Sequence, residues 1–293
     1  MDYETVVTRF AKKGTGSFWH NLAQSAWTQC GGSEAQSHLF AEAYSLGAVA
    51  ASILDDIQDQ DGANPLWQSI GVAPAINVGV GLAFRVLGIF GLLELPPDCQ
   101  NRLLLFYART VEKMCQGQHR DLTNGLMPPT LNEAWSIVGE KTAAWCAFGV
   151  GAYAEAIEDE RVSTLIAIGR HIGCWHQIGN DLGSVLEDDG KYDLLNRKHT
   201  VLSAYAFAVA KGTERDALWT AWQAVDKSTT LNQVRELLLD LGVEQYATVM
   251  GNYHLAEANR LADELGMRLP IPLTAHTFIN KWAPVETISK VLR

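Results

Sequence analysis

The residues best suited to chemistry begin with an acidic cluster, Asp55, Asp56 and Asp59, which directly follows the apolar segment 46–54. Asp55 and Asp59 are four residues apart, so on a helix they lie on one face, one turn from each other. Neighbouring carboxylates raise each other's pKa and destabilise a bare helix unless a cation neutralises them. Mg²⁺ takes such oxygen ligands together with phosphate oxygens and water. A solvated acidic helix end is the alternative interpretation.

A second set of oxygen-bearing side chains follows the apolar residues of a later helical segment. Asn180, Ser184 and Asp188 recur every four residues, so they share one helix face, and Asp181 flanks them. An amide, a hydroxyl and a carboxylate can together bind one Mg²⁺ with less negative charge than three aspartates. A polar helix C-terminus would also explain them. Two such clusters facing each other across a cavity would hold three Mg²⁺ ions.

The elements that position these clusters are predicted to be helices. Prolines are confined to a few places, and between them run long segments with apolar residues at helical spacing, such as 103–122 and 133–156. No segment of useful length alternates with a period of two. We therefore predict an all-α bundle of about ten helices, forming one domain over residues 1–293.

Charge and cysteine content exclude several functions. The net charge of −10 gives the chain no general reason to bind nucleic acids or anionic membranes. Its five cysteines are scattered and form no CxxC pair, which argues against a disulfide framework or a zinc site and fits a reducing cytosol.

No segment reads as a signal peptide or a membrane span. Residues 1–14 lack the apolar core of a signal peptide, and the apolar segment 76–93 is interrupted by Asn77, Arg85 and four glycines. We predict that this segment forms a buried helix and that the protein is cytoplasmic.

The motifs together resemble those of the trans-polyprenyl diphosphate synthase superfamily, the class I isoprenoid synthases, over most of the chain. Their order and spacing fit throughout. Residues 55–59 resemble the first aspartate-rich motif, 117–122 resemble GQxxDL, 141–143 resemble KTA, 177–181 stand where the family has FQIxDDxxD, and 193–200 resemble DLxxgKxT.

The resemblance implies a role for each matching residue. Lys141, Gln177 and Lys198 are expected to contact an allylic diphosphate, with Thr142 packed beside it and Gln118 lining the pocket. It also implies a helical bundle around a deep central cavity, and a homodimer. The resemblance implies the following Mg²⁺ ligands: Asp55, Asp56, Asp59, Asn180, Asp181, Ser184 and Asp188. All of them except Asp181 are also the expected catalytic residues.

The departures from the family pattern concern the second substrate. Chain-elongating members carry GGKR before the first motif, whereas here Gly31 and Gly32 are followed by Ser33 and Glu34. They also carry an Arg-Arg pair after that motif, but residues 62–66 contain no basic side chain. Ala48 stands in place of an expected histidine. The allylic site is kept and the isopentenyl site is lost, so we do not expect ordinary chain elongation.

Two enzyme classes then remain open. The Asn180, Ser184, Asp188 triad is similar to the NDxxSxxxE motif of class I terpene synthases, in which the cation cyclises or is quenched within one molecule. Residues 59–67, 115–119 and 241–246 are similar to ComQ proteins, which attach a prenyl chain to a tryptophan of a signalling peptide. We favour the terpene synthase and keep the peptide prenyltransferase as the alternative. A non-catalytic subunit is disfavoured because the first aspartate cluster is intact.

The pocket floor is the last expectation from sequence. In the resembled family the residues four and five before the first aspartate set the floor, here Ala51 and Ala50, with Ala48 and Gly47 below. Such small residues imply a deep pocket for a chain of C15 to C20 or longer. We therefore expect farnesyl or, preferably, geranylgeranyl diphosphate as substrate. Trp145 and Trp175 lie on motif-bearing helices and could stabilise a carbocation through their π-faces.

Overall fold

A computed structural model of the chain describes residues 2–14, 16–60, 66–123, 125, 129–186, 193–225 and 230–268. Throughout these ranges the regular structure is helical and includes no strand, so the predicted all-α fold is confirmed. The helices are α1 Tyr3–Gly14, α2 Phe18–Gln29, α3 Glu34–Gln58, α4 Leu66–Ile70, α5 Val72–Phe90, α6 Pro97–Thr123, α7 Leu131–Glu140, α8 Thr142–Ile157, α9 Val162–Leu186, α10 Val201–Val209, α11 Thr213–Gln223, α12 Thr230–Asp240 and α13 Val243–Glu264.

Helices α3 and α9, of 25 residues each, carry the two polar clusters at their C-terminal ends. Ser33 is the N-cap of α3, its hydroxyl accepts a hydrogen bond from the Gln36 amide, and Asp59 is the C-cap. The carbonyl dipoles of a helix place partial negative charge at its C-terminus. Both helix ends therefore add to the negative potential of their own carboxylates and favour a bound cation.

Helix α8 is the buried centre of the bundle. It packs against α9, α6 and α2, and it is apolar on all faces. Two glycines of α9 allow the closest approach, because a Cβ on Gly169 would lie 2.4 Å from the Cys146 carbonyl oxygen and one on Gly173 would lie 2.4 Å from the Ala143 Cα. This tight contact brings the start of α8 beside the second half of α9.

Helix α5 corrects the prediction of a buried apolar helix. It packs on α3 through one face, but only 28% of its most apolar stretch is buried. Val72, Ile76, Val80 and Phe84 are 42–68% exposed and recur every four residues, so they form one apolar stripe. By length and composition the helix could also cross a membrane. The sequence signal was helical and apolar, but it did not reveal that this face lacks a partner among the residues that the structure describes.

A histidine pair between α9 and α13 predicts a pH-dependent stability. His171 and His254 place their Nδ1 atoms 2.9 Å apart. Burial, with His171 adding to it, lowers the pKa of His254 to about 4. Burial also lowers the pKa of His171, whose charged neighbours on α13 are Glu257 and Arg260.

Because the folded pKa of His254 lies below its unfolded value, the stabilisation is complete above about pH 6.5 and is lost as the pH falls toward 4. Between pH 7.5 and pH 5 we expect the free energy of unfolding to fall by about 1–2 kcal/mol more in wild type than in His254→Gln, after discounting for partial exposure. Urea unfolding at both pH values measures the difference, and equal losses in the two proteins would refute the prediction.

Candidate active site

Lys141 links α3 and α6 to the junction between α7 and α8. Its Nζ lies 2.8 Å from Asp121 Oδ2 on α6 and 3.5 Å from Asp55 Oδ1 on α3. Lys141 itself immediately precedes α8 and caps α7. Gly117 allows this approach, because a Cβ there would lie 3.0 Å from the Lys141 Cγ. The structure thus brings the first aspartate motif, the GQxxDL-like segment and the KTA-like segment together.

Lys198 makes a matching bridge on the other side. Its ammonium group pairs with Asp59 and lies 3.5 Å from Asp193 Oδ1. Asp193 in turn accepts a hydrogen bond from the hydroxyl of Ser184 on α9. The second lysine therefore links the end of α3 to the second polar cluster through one carboxylate.

These charges form one electrostatic cluster. Burial and the neighbouring Asp55 raise the pKa of Asp59 to about 6, although Lys198 and Lys141 oppose the rise. Burial acts to lower the pKa of Lys198, but Asp193, Asp55 and Asp59 outweigh it and hold that pKa well above its usual value. The pKa of Lys141 is raised in the same way by Asp55 and Asp121, against burial and the charge of Lys198. Both lysines are therefore held in the cationic form.

Gln177 is held between the two clusters by hydrogen bonds. The hydroxyl of Thr142 donates to its side-chain oxygen, and its amide donates to Asp181 Oδ1 at 2.8 Å. Asp181 is 2% exposed and also accepts from the Val201 amide at the start of α10, at 3.2 Å. Burial raises the pKa of Asp181 to about 7. Through these contacts Asp181 anchors α10 to α9. Its role as a metal ligand stays a prediction.

The remaining predicted ligands are placed as follows. Ser184 also donates to the Asn180 carbonyl oxygen at 3.2 Å, and the Asn180 side chain lies 3.3 Å from His176 Nδ1. Asp56 is half-buried next to Asp55. Asp188 lies outside the described residues. Gln118 is near Asp121 on α6, and both polar atoms of its side chain are buried without a partner among the described residues.

The donors fit Mg²⁺, the cation that the resemblance implies. In the described part of the chain, no three His, Cys, Asp or Glu side chains already converge as a closed metal site. The carboxylates nevertheless supply oxygen atoms, which Mg²⁺ prefers. Asp59 has a side chain only 6% exposed and a pKa raised by burial and by Asp55, a cost that a divalent cation would relieve. Asp55, Asp56 and Asp59 are therefore the side chains that could hold the ion.

Comparison with known proteins agrees with this geometry. The family model described as polyprenyl synthetase matches residues 21–240. The chain belongs to the polyprenyl synthetase family. The predicted superfamily is thereby confirmed, and with it the prediction of an enzyme acting on prenyl diphosphates.

Several relatives of this polyprenyl synthetase family member are known. It is 25% identical over 206 residues to tryptophan prenyltransferase ComQ of Bacillus subtilis (strain 168), covering 69% of this chain and 66% of that protein. It is 24% identical to ComQ of Bacillus spizizenii, covering 88% and 89%.

Solved structures share the fold. Geranylgeranyl pyrophosphate synthetase from Pyrococcus horikoshii Ot3 has a TM-score of 0.80 at 21% identity, covering 96% of this chain and 88% of that one. Polyprenyl synthase from Caulobacter crescentus CB15, complexed with calcium and isoprenyl diphosphate, has a TM-score of 0.75 at 17% identity, covering 96% and 93%. At these identities the likeness shows the fold alone.

Sequence reasoning missed the residues that hold Lys198 in place. Asn196 donates to the Asp59 carbonyl oxygen at 2.8 Å. Arg197 adopts a left-handed backbone conformation, φ 53°, and its guanidinium donates to the carbonyl oxygens of Trp222 and Gln223 at the end of α11. These bonds fix the loop before Lys198 to two separate helix ends. No sequence signal beyond proximity to the motif could have identified them.

Removing the Arg197 anchor is expected to destabilise the protein. Arg197→Ala should lower the free energy of unfolding by about 1–3 kcal/mol, because two charge-assisted hydrogen bonds are lost and the left-handed backbone remains. Urea unfolding measures this effect. Arg215→Ala, at an exposed position of α11, is the matched control and should leave the stability nearly unchanged. Equal effects in the two variants would contradict the anchoring role.

Proposed function

We propose that this protein is an Mg²⁺-dependent enzyme that ionises an allylic prenyl diphosphate. The observation that carries the proposal is the pair of lysines, Lys141 and Lys198, each held between two carboxylates from different segments of the chain. Such an arrangement supplies both ammonium groups for a diphosphate and carboxylates for the cations that accompany it. The resemblance implies three Mg²⁺ ions, held by the first aspartates and by Asn180, Ser184 and Asp188.

The residues act on the leaving group. Ionisation breaks the bond between the allylic carbon and the diphosphate oxygen, and both electrons leave with the diphosphate. Lys141 and Lys198 stabilise the charge that develops on those oxygens, since fixed cations aimed at a developing charge lower the barrier. Gln177, held by Thr142 and Asp181, contacts the same group in this proposal. Bound Mg²⁺ supplies Lewis-acid stabilisation of the diphosphate.

For the fate of the cation we propose a class I terpene synthase, in which the cation cyclises or is quenched in the cavity. Asn180 and Ser184 support this, because they share one face of α9 and Ser184 donates to Asp193, which lies beside Lys198. The second candidate is prenyl transfer to a peptide tryptophan, as the names of both ComQ relatives describe for those proteins. The similarity to ComQ of Bacillus spizizenii favours this second candidate, because it covers 88% of this chain. In either case the substrate is farnesyl or geranylgeranyl diphosphate.

Incubation without any acceptor separates the two candidates. The protein is mixed with Mg²⁺ and geranyl, farnesyl or geranylgeranyl diphosphate, and the organic extract is analysed by mass spectrometry while released diphosphate is measured. A hydrocarbon or alcohol that disappears in Asp55→Ala, but persists in the exposed control Asp216→Ala, supports the terpene synthase. Tight substrate binding without product favours the peptide prenyltransferase. Products lengthened by added isopentenyl diphosphate would overturn both.

We also propose that the protein is a cytoplasmic homodimer that associates through the exposed stripe of α5. The stripe is apolar and has no partner within the described residues. We expect light scattering to give a dimer for wild type and a monomer for Phe84→Glu, because burying a charge in an apolar interface is unfavourable. Val249→Glu, on the exposed face of α13, should stay dimeric. A monomeric wild type that floats with lipid vesicles would instead indicate a membrane contact.

A further inference from the structure

The helix face that carries Asp55 changes from accessible to closed two turns below the carboxylate. Ala51 and Ala48 are partly exposed, whereas Gly47 is buried and Tyr44 is 0% exposed. All four lie on the Asp55 face of α3, because they precede it at helical spacings. The accessible part of this face below Asp55 therefore ends at Gly47, about 12 Å down the helix at 1.5 Å per residue.

The group that covers Gly47 is the indole of Trp145 on α8. This residue lies one turn after Lys141 and is 3% exposed. A Cβ built on Gly47 would stand 2.6 Å from the Trp145 Cη2 and 2.8 Å from its Cζ2. The ring thus occupies the space that any side chain at position 47 would need, so Gly47 admits the indole and does not deepen the pocket.

The indole is fixed on several sides. Tyr44 stacks on it with ring centroids 4.7 Å apart and an interplanar angle of 8°, and the Tyr44 hydroxyl donates to the Trp145 carbonyl oxygen at 3.1 Å. Tyr107 and Phe148 contact the indole at centroid distances of 6.4 and 5.6 Å. A close-packed interior leaves such a ring no room to swing aside. Its Nε1 is buried without an acceptor among the described residues.

We propose that Trp145 is a specificity-determining residue that forms the floor of the prenyl pocket and limits the length of the substrate chain. The proposal rests on the proposed function, since it assumes that the diphosphate is bound at Lys141 and Lys198. The tail then descends past Ala51 and Ala48 and its end meets the indole. Ala50 does not contribute, because it is 2% exposed and its carbonyl oxygen faces Gly79 of α5.

The test compares binding of two substrate analogues that ionise poorly, the S-thiolo analogues of farnesyl and geranylgeranyl diphosphate. Calorimetry with Mg²⁺ gives the ratio of their dissociation constants for the full chain. We expect Trp145→Ala, and the milder Trp145→Leu, to shift this ratio toward the longer analogue by about tenfold or more, since small differences in apolar chain length are worth that much in a fitted pocket. Thermal unfolding of each variant checks that it is folded.

Trp27→Leu is the matched control, because Trp27 is equally buried but packs on Phe40 and Tyr153 at another place in the core. It should leave the ratio unchanged. If wild type binds the analogues and both Trp145 variants keep the wild-type ratio, the floor is elsewhere and the inference is wrong. If wild type binds neither analogue, the proposed function fails and the inference fails with it.

Discussion

Replacing Lys198 with glutamine is expected to lower the rate of diphosphate release by about 10²–10³-fold, the loss seen when one donor to a developing anionic charge is removed. Lys198 is the cation that faces both Asp59 and Asp193. Its loss deprives these two carboxylates of their nearest ammonium group and removes one cation from the leaving diphosphate. A single-turnover assay of diphosphate release with farnesyl and geranylgeranyl diphosphate measures the effect.

Two variants make this result specific. Lys198→Arg keeps the charge but changes its shape, so we expect it to retain more activity than the glutamine variant. Lys211→Gln removes an exposed lysine beyond α10 and should behave as wild type. A Lys198→Gln protein that is folded and releases diphosphate within twofold of the wild-type rate would exclude Lys198 from the reaction.

The sequence predicted much of this site because its motifs fix which face of which helix carries each group. The four-residue spacing of Asp55 and Asp59 places both on one face of α3. The motif order predicts that Lys141 and Lys198 contact one anion, and that role stays a prediction. The all-α fold followed from apolar spacing that was helical throughout. Spacing of this kind is a local property, so it can be read without knowing which helices are neighbours.

What the sequence could not predict depends on contacts between distant segments. The indole of Trp145 occupies the space beside Gly47 because α3 approaches α8 there. The small residues of α3 alone suggested that this space was open. The anchoring of Arg197 to the end of α11 is equally non-local. The exposed face of α5 was missed for the same reason, because an apolar helix has the same sequence whether its partner lies within the chain or outside it.

Removing Mg²⁺ with a chelator is expected to lower diphosphate release by about 10²-fold or more, since Lewis-acid stabilisation of a phosphoryl oxygen is worth several kcal/mol. In the structure the Lys141 ammonium group lies 3.5 Å from Asp55 Oδ1, so it offsets part of the charge of that carboxylate. Binding of the substrate with its ions would transfer Lys141 from the carboxylate to the diphosphate. The affinity for Mg²⁺ should therefore depend strongly on the charge of Asp55.

Asp55→Asn tests this coupling. We expect the Mg²⁺ concentration that gives half of the maximal rate to rise by about 10–100-fold, at least as much as when residues that only support a ligand are changed. Glu42→Gln, an exposed position on the same helix, should leave the Mg²⁺ dependence as in wild type. Full activity in the chelator would mean that the lysines stabilise the leaving diphosphate without Mg²⁺. An unchanged Mg²⁺ dependence in Asp55→Asn would mean that Asp55 does not hold the ion.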